Sequence, residues 1–349
     1  MMQTQSIYPS LLDIPTEDLF LCRDQLGLSS WQELAGKKVF ITGGTGFVGK
    51  WLLASLLDAN DVFGLGCRIT VLSRNPMAFQ RHWPKLNGRV DWVAGDVRNF
   101  PIGTDCFDTI VHAATDVVAQ TSPHDVFSTC IDGTRRVLSL AEACGASKLL
   151  LVSSGAVYGP LPVGMSHVLE THLGGPDPLI GGSAYGEGKR VSEFLAAQAA
   201  TNGLEVKIAR VFALVGPHLA LDKHFAMGNF LRAAMAEEEI VIQGDGTPHR
   251  SYLYAADMAV WLWSILLRGK SGRAYNVGSD ESLSIAALAE RVSRIVNRAS
   301  PIVIQKKAKP GMVPAHYVPD ISRARHELGL SVPLSIDEAI VRTLRWHDS

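Results

Sequence analysis

Residues 37–53, KKVFITGGTGFVGKWLL, decide how the rest of this chain is interpreted. The apolar run at 39–41 is typical of a short buried parallel strand, and the glycine-rich segment 42–49 follows it directly. Apolar residues then recur with the spacing of a helix, starting at Val48. A strand, a glycine-rich turn and a helix in this order are typical of a dinucleotide-binding site, although the same glycines could serve only a tight connection.

The glycines of this turn have separate predicted tasks. Gly43 permits the tight turn, Gly46 lets the backbone approach a pyrophosphate, and Gly49 lets the helix pack closely on the strand. The free N–H groups at the start of the helix would then bind the pyrophosphate. The predicted cofactor contacts in this segment are Gly43, Thr45, Gly46, Phe47, Val48 and Gly49.

The overall composition gives no sign of a polyanionic partner. The 349 residues carry 33 basic and 34 acidic side chains, so we expect neither nucleic acid nor an anionic membrane as a partner. The first residues show no basic segment followed by an apolar stretch, so we expect no export signal, and the longest apolar run, 258–267, is too short to span a bilayer and is predicted to be a buried helix. Five scattered cysteines indicate reduced thiols, mostly in the core, in a cytoplasmic protein for which we predict no metal site.

Further apolar runs predict strands that alternate with helices. The strands are expected at 68–72, 90–93, 109–114 and 148–152, and an amphipathic pattern predicts a helix at 125–144. This alternation predicts an α/β fold, a doubly wound parallel sheet of the Rossmann type with a smaller α/β substrate-binding lobe. Asp96 and Val97 are expected beside the adenine, while the small Ala113 and Ala114 leave room for the ribose and nicotinamide.

The end of the second strand bears on the choice of cofactor. An NAD-preferring fold usually has an acid here, which holds the ribose 2′-hydroxyl. This chain has Ser73 and Arg74 instead, which suit a 2′-phosphate, although Arg74 could simply be solvated. We therefore favour NADP over NAD.

We predict that the chain has three parts. Residues 1–36 form a helical extension, either a cap on the main domain or a contact surface for another subunit. Residues 37–210 form the dinucleotide-binding domain, and residues 211–349 mainly form the substrate-binding lobe, with about 240–265 returning to the first domain. Within the lobe, residues 301–319 contain four prolines and three lysines, which predict a solvated rim or a lid over an anionic substrate.

Three further residues suggest oxidoreductase chemistry. Tyr185 and Lys189 are four residues apart and would share a helix face, where an ammonium lowers the pKa of a phenol towards neutrality. Ser154 follows the fifth strand on the ligand side of the sheet, where its hydroxyl could bind an oxygen that alternates between alcohol and ketone. A Tyr/Lys pair alone would fit a surface helix equally well.

These segments resemble an extended short-chain dehydrogenase/reductase of the NAD-dependent epimerase/dehydratase type, a group that works on nucleotide-diphosphate sugars. The resemblance covers roughly residues 37–346. It rests on TGGTGFVG, HAA, SSGAVYG, YGEGK, RVFALVGP, GDGTPHRSYLYAADMA and YNVGSDESLSI. It implies Ser154, Tyr185 and Lys189 as the catalytic residues, with the last two also contacting the cofactor, and it implies a homodimer.

The substrate is expected to contact a second group of residues. The resemblance implies that Arg250 binds the diphosphate, for which a guanidinium is the natural bidentate partner. Lys223 and His224, with His218, belong to a loop that could line the pocket or be merely solvated. Thr115 is also predicted to contact the substrate.

Two departures from the family pattern limit the reactions that the protein could catalyse. Sugar 4,6-dehydratases of this family have an Asp-Glu pair after the catalytic hydroxyl residue, and related decarboxylases usually keep the Glu. Here these positions are Gly155 and Ala156, neither of which can transfer a proton. We therefore expect an NAD(P)-dependent 4-keto-reductase or epimerase. The alternatives are a dehydratase or decarboxylase that uses an acid outside the usual motif, such as Glu170 or Glu187, and a reductase of a non-sugar molecule.

Overall fold

The computed structural model describes residues 11–115, 122–200, 203–222, 225–296 and 301–348. The strands, numbered in chain order, are β1 (Lys38–Thr42), β2 (Arg68–Ser73), β3 (Asp91–Ala94), β4 (Thr109–His112), β5 (Lys148–Ser154), β6 (Glu205–Val211), β7 (Leu214–Val215), β8 (Ile240–Ile242), β9 (His249–Arg250), β10 (Leu253–Tyr254), β11 (Arg273–Val277), β12 (Leu283–Ser284), β13 (Ile302–Ile304) and β14 (His316–Tyr317). The α-helices are α1 (Thr16–Leu26), α2 (Leu28–Trp31), α3 (Phe47–Phe63), α4 (Pro76–His82), α5 (Pro123–Cys144), α6 (Ala184–Ala199), α7 (Ala226–Met235), α8 (Ala255–Arg268), α9 (Ile285–Val296), α10 (Ser322–Leu328) and α11 (Ile336–His347).

Seven strands form one parallel sheet in the order β11-β6-β5-β4-β1-β2-β3. The order runs outward in both directions from β1 and β4, which confirms the doubly wound Rossmann-type sheet. Thr42 pairs with His112, and Ser154 pairs with Val211, so the carboxyl ends of the strands meet at one edge. Open sheets of this kind bind their ligands at that edge.

The central strands are apolar because both faces of the sheet are covered. Val39 and Ile41 of β1 pack into a core formed with α1, α3 and α8, whereas Phe40 points to a second core formed with α5 and α6. The predicted buried helix at 258–267 lies within α8, where every residue from Ala255 to Leu267 is buried. Among the described residues, no helix has the length and apolar character needed to cross a membrane.

The segment before β1 is part of the first core. Helix α1 packs against α3 and α8, and the buried Asp18 accepts hydrogen bonds from the Tyr254 hydroxyl and from Arg342, both at 2.5 Å. Arg23 also forms a buried ion pair with Asp58 at 2.5 Å. These contacts tie the described part of the extension to α3, α8 and α11.

The smaller lobe has short strands of its own. Strand β8 pairs with β13, and β9 lies between β12 and β14, with α7 and α9 packed beside β8. Of the segment predicted to return to the first domain, α8 covers the large sheet, whereas β8 belongs to this lobe. Residues 301–319 contribute β13 and β14 to these sheets. The proposed domain boundaries stay a prediction.

Candidate active site

The glycine turn between β1 and α3 is closely packed. Gly43 has φ +72°, and a Cβ added there would lie 2.6 Å from the carbonyl carbon of Ala113. A Cβ on Gly49 would lie 2.1 Å from the Gly43 carbonyl oxygen. Both contacts are with backbone, which cannot move aside. The turn and the close packing of the helix therefore require glycine at these two positions, for the reasons predicted.

The start of α3 forms a cradle at the carboxyl edge of the sheet. Gly46 is the N-cap residue and supplies no side-chain hydrogen bond, and the first intrahelical bond runs from the Lys50 N–H to the Gly46 carbonyl at 2.9 Å. The N–H groups of Phe47 and Val48 precede that bond at the positive end of the helix. Thr45, Phe47 and Val48 are half-buried around this cradle. Its geometry fits a pyrophosphate.

A buried hydrogen-bonded chain holds the end of β4 beside the cradle. The Thr134 hydroxyl donates to the Cys130 carbonyl at 2.7 Å, so His112 Nε2 donates to Thr134 at 3.2 Å. His112 Nδ1 then accepts from the Thr42 hydroxyl at 2.8 Å. Burial lowers the pKa of His112 to about 3, and Lys189 adds to the lowering, so the imidazole is neutral.

This chain also orients the small residues after β4. The Ala114 N–H donates to the Thr42 hydroxyl at 3.2 Å, and the Ala113 N–H donates to the Thr42 carbonyl at 3.2 Å. The Thr115 hydroxyl donates to the Ala114 carbonyl at 2.7 Å. The role of His112, the first residue of the HAA segment, was not predicted from the sequence. The available signal was a lone imidazole at the end of a buried strand, opposite Thr42.

The residues proposed to select the cofactor lie at the ends of β2 and β3. Ser73 is buried and its hydroxyl accepts from the Asn75 N–H at 3.2 Å, whereas Arg74 is exposed. Asp96 is held by Arg98 at 2.8 and 3.0 Å, and these hydrogen bonds lower the pKa of Asp96. Arg74 lies close enough to lower that pKa further. The buried Val97 packs against Gly133 of α5.

Ser154 and Tyr185 meet at the end of β5. The Ser154 hydroxyl accepts from the Ala156 N–H at 3.1 Å and is hydrogen-bonded to the Tyr185 phenol. Burial raises the pKa of Tyr185, and the Ser154 hydrogen bond only partly offsets this. The structure thus brings the two predicted hydroxyls together, with Tyr185 protonated.

Lys189 lies beside Tyr185 on the same face of α6, as predicted, but its ammonium is bound to the backbone of β5. Its buried ammonium donates to the Val152 carbonyl at 2.7 Å and lies 5.9 Å from the centre of the Tyr185 ring. Burial also lowers the pKa of Lys189 itself. The predicted lowering of the Tyr185 pKa by Lys189 is therefore not found, because burial of the phenol dominates.

Tyr317 is a site residue that sequence reasoning missed. It lies on β14 opposite Arg250 on β9, and the Arg250 guanidinium carbon is 5.4 Å from the centre of the Tyr317 ring. Its phenol is hydrogen-bonded to Ser154. No local motif marks Tyr317, which lies in the proline-rich segment interpreted as a rim or lid. Arg250 also donates to the His249 carbonyl at 2.8 Å.

His218, another residue predicted to line the pocket, is bound to the N-terminal segment instead. His218 Nε2 donates to the Leu12 carbonyl at 2.6 Å while its Nδ1 faces Lys50 at 3.4 Å, so the imidazole links α3 to the N-terminal segment. Burial, followed by Lys50, lowers the pKa of His218 to about 4. Lys223 and His224 lie outside the described residues.

The two acids considered as replacements for the missing motif are already engaged. The buried Glu170 carboxylate accepts from the Asn276 N–H at 2.9 Å and lies 3.6 Å from Arg323. Glu187 lies 3.8 Å from Arg190 on the same helix. The structure therefore gives neither carboxylate a contact with Ser154 or Tyr185.

A model of the NAD dependent epimerase/dehydratase family matches residues 39–278. The chain belongs to this family. UDP-glucuronic acid decarboxylase 1 of Arabidopsis thaliana is 30% identical over 312 residues, which cover 87% of this chain and 68% of that protein. UDP-glucuronic acid decarboxylase 1 of Xenopus tropicalis is 28% identical over 315 residues, 89% of this chain and 72% of that protein.

Solved structures share the fold. The epimerase Mth375 of Methanothermobacter thermautotrophicus has a TM-score of 0.76 at 20% identity, covering 93% of this chain and 96% of that one. A dTDP-glucose 4,6-dehydratase of Streptomyces venezuelae, solved with NAD, has a TM-score of 0.74 at 24% identity, covering 89% and 97%. At these identities the likeness concerns the fold alone.

Proposed function

We propose that this protein is an NAD(P)-dependent decarboxylase of a nucleotide-diphosphate uronic acid. The observation that carries the proposal is the pair of hydrogen-bonded hydroxyls, Ser154 and Tyr185, beside residues 155 and 156, which have no acid. Similarity to UDP-glucuronic acid decarboxylases over most of the chain supports it. This replaces the 4-keto-reductase or epimerase expected from the sequence with the decarboxylase kept there as an alternative.

The residues around the glycine turn fit a dinucleotide. Backbone occupies the space beside Gly43 and Gly49, and the start of α3 offers free N–H groups to a pyrophosphate. Ala113 and Ala114 would border the ribose and nicotinamide. When bound, the dinucleotide would accept a hydride from C4 of the sugar and later return it. Whether it is NADP or NAD depends on the exposed Arg74, for which the preference for NADP stays a prediction.

The protein's own groups would handle the proton at the C4 oxygen. In its phenolate form Tyr185 takes the hydroxyl proton as C4 is oxidised, and the phenol so formed gives the proton back as C4 is reduced, while Ser154 orients that oxygen. Lys189, anchored on the Val152 carbonyl, places a positive charge 5.9 Å from the Tyr185 ring centre. At this distance the positive charge of Lys189 still stabilises the phenolate form of Tyr185.

The chemistry explains why decarboxylation tolerates Gly155 and Ala156. A ketone at C4 lies β to the C6 carboxylate, so the electrons of the breaking C5–C6 bond can pass to the ketone oxygen. Hydrogen bonds from Ser154 and Tyr185 stabilise the charge that develops on this oxygen. Dehydration would instead need a base at C5 and an acid at the departing hydroxyl, which positions 155 and 156 cannot supply.

The test is a substrate panel analysed by mass spectrometry. The protein is incubated with NAD or NADP and with nucleotide-diphosphate hexoses, their uronic acids and their 4-keto derivatives. We expect a product that has lost CO2 from a uronic acid. Loss of water, a product of unchanged mass, or the gain of two hydrogens without loss of CO2 would instead identify a dehydratase, an epimerase or a reductase, respectively.

A further inference from the structure

The Tyr317 hydroxyl occupies the space that any side chain at position 155 would need. A Cβ added to Gly155 would lie 2.7 Å from the Tyr317 hydroxyl oxygen and 2.7 Å from the Phe212 ring. The Tyr317 ring packs on Phe212, with the ring centres 4.7 Å apart. A phenol contributed by a distant strand thus fills the place beside Ser154 that residue 155 leaves open.

Strand β14 holds this phenol firmly. The His249 N–H donates to the Ala315 carbonyl at 2.8 Å, before the tyrosine, and the Val168 N–H donates to the Val318 carbonyl at 3.0 Å, after it. Tyr317 is therefore fixed from two neighbouring segments. A side chain supported in this way can act on a substrate without a prior rearrangement.

Two phenol hydroxyls converge on the hydroxyl of Ser154. The Tyr185 and Tyr317 phenols both hydrogen-bond the serine, and the two phenols are close enough that a charge on Tyr317 would raise the pKa of Tyr185. Burial raises the pKa of Tyr317, while Ser154 and Arg250 act in the opposite direction. Tyr317 is thus a protonated phenol, and Arg250 lies where it can stabilise the phenolate left after proton donation.

We propose that Tyr317 is a second catalytic phenol, which donates a proton to C5 of the sugar after CO2 has left. This inference rests on the proposed function. Tyr185 serves the oxygen on C4, and a second donor that also contacts Ser154 suits the adjacent carbon. Breaking the C5–C6 bond releases CO2 and leaves an enolate over C4 and C5. The Tyr317 O–H bond then breaks as the C5–H bond forms, and the phenolate beside Arg250 regains its proton from water.

The experiment compares CO2 release with pentose formation in a single turnover of UDP-glucuronic acid and NAD in heavy water. Tyr317→Phe removes the hydroxyl and keeps the ring on Phe212. Tyr275→Phe is the matched control, because its buried phenol donates to Glu327 of α10 at 2.9 Å and accepts from the Lys270 N–H at 3.1 Å. Gly155→Ala is a second test, since the added methyl group must displace the Tyr317 hydroxyl.

We expect the unmutated protein and Tyr275→Phe to place one deuterium at C5 on a single face. Tyr317→Phe should release CO2 at the unmutated rate but form the pentose about a hundredfold more slowly, with a 4-keto pentose accumulating and deuterium on both faces. Gly155→Ala should behave like Tyr317→Phe. Equal slowing of CO2 release and pentose formation, or no slowing of either, would overturn the role of Tyr317 and leave the decarboxylase standing. An unmutated protein that releases no CO2 would overturn both.

Discussion

The two halves of the candidate active site differ in how far apart their residues lie along the chain. The dinucleotide half is built mostly from one continuous segment, 42–49, which places Gly49 against the Gly43 carbonyl six residues away, although Gly43 itself packs on Ala113 after β4. The substrate half is assembled from β5, α6, β9 and β14, which contribute Ser154, Tyr185, Arg250 and Tyr317. The first half is therefore encoded mostly by the local sequence, and the second only by the fold as a whole.

The largest expected effect tests the substrate half. Tyr185→Phe removes the proton-transfer group and should lower kcat about a thousandfold or more, while dinucleotide binding is retained. Steady-state kinetics and a cofactor titration measure the two quantities separately. A variant with near-normal turnover would show that the substrate half has been assigned to the wrong residues.

How much could be read from the sequence follows the same division. The sheet, the turn at Gly43 and the close packing at Gly49 were predictable, because alternating strands and glycine spacing are local patterns. Ser154 and Tyr185 could be paired by their place after a strand and on a helix. Tyr317 could not, since its contact with Ser154 spans 163 positions of the sequence and exists only once β14 pairs with β9.

The local sequence also could not show whether burial or the nearby Lys189 charge would have the larger influence on the pKa of Tyr185. The Tyr185–Lys189 spacing predicted a lowered phenol pKa, whereas the folded protein buries the phenol and directs the ammonium to the Val152 carbonyl. Burial depends on every element packed around the pair. A four-residue spacing contains no information about it.

The next effect tests the dinucleotide half. Gly49→Ala places a methyl group against the Gly43 carbonyl, and we expect it to lower the free energy of unfolding by about 3 kcal/mol and to weaken dinucleotide binding. Gly103→Ala is the control, because a Cβ there meets no atom within 4 Å. Chemical denaturation measures both variants. Equal stability of the two would contradict the close packing of α3 on the turn.

The free energy of unfolding is expected to depend on pH through His112, which is buried beside the dinucleotide half. The pKa of His112 is about 3 in the folded protein and about 6.5 when unfolded, so below pH 6.5 the unfolded chain binds the extra proton. Stability from the neutral imidazole is therefore complete above that pH and is lost on acidification, by about 1.4 kcal/mol per pH unit. In His112→Gln the free energy of unfolding should therefore decrease less steeply between about pH 6 and pH 4.

The measurement is the free energy of unfolding of both proteins across that range. His112→Gln should also be less stable at neutral pH, because Thr42 and Thr134 lose their partner. The exposed His124→Gln is the control for loss of an imidazole as such. Parallel pH profiles for His112→Gln and the unmutated protein would mean that His112 is not held neutral.

The smallest expected effect concerns cofactor choice at the rim of the dinucleotide half. Arg74 is exposed, so Arg74→Ala should weaken NADP binding by about 1.5 kcal/mol, roughly tenfold, and leave NAD binding unchanged. Calorimetric titration with each dinucleotide measures this directly. Equal losses for both, or tighter binding of NAD by the unmutated protein, would remove the argument for NADP.

The most direct test of the proposed reaction counts CO2 released from a nucleotide-diphosphate uronic acid against cofactor consumed. Tyr185 returns its proton and the cofactor recovers its original state when C4 is reduced again, so each turnover is redox-neutral. We predict many CO2 released per dinucleotide added, with no net cofactor reduction at the end. Absence of CO2, or one cofactor consumed for each sugar converted, would contradict the account.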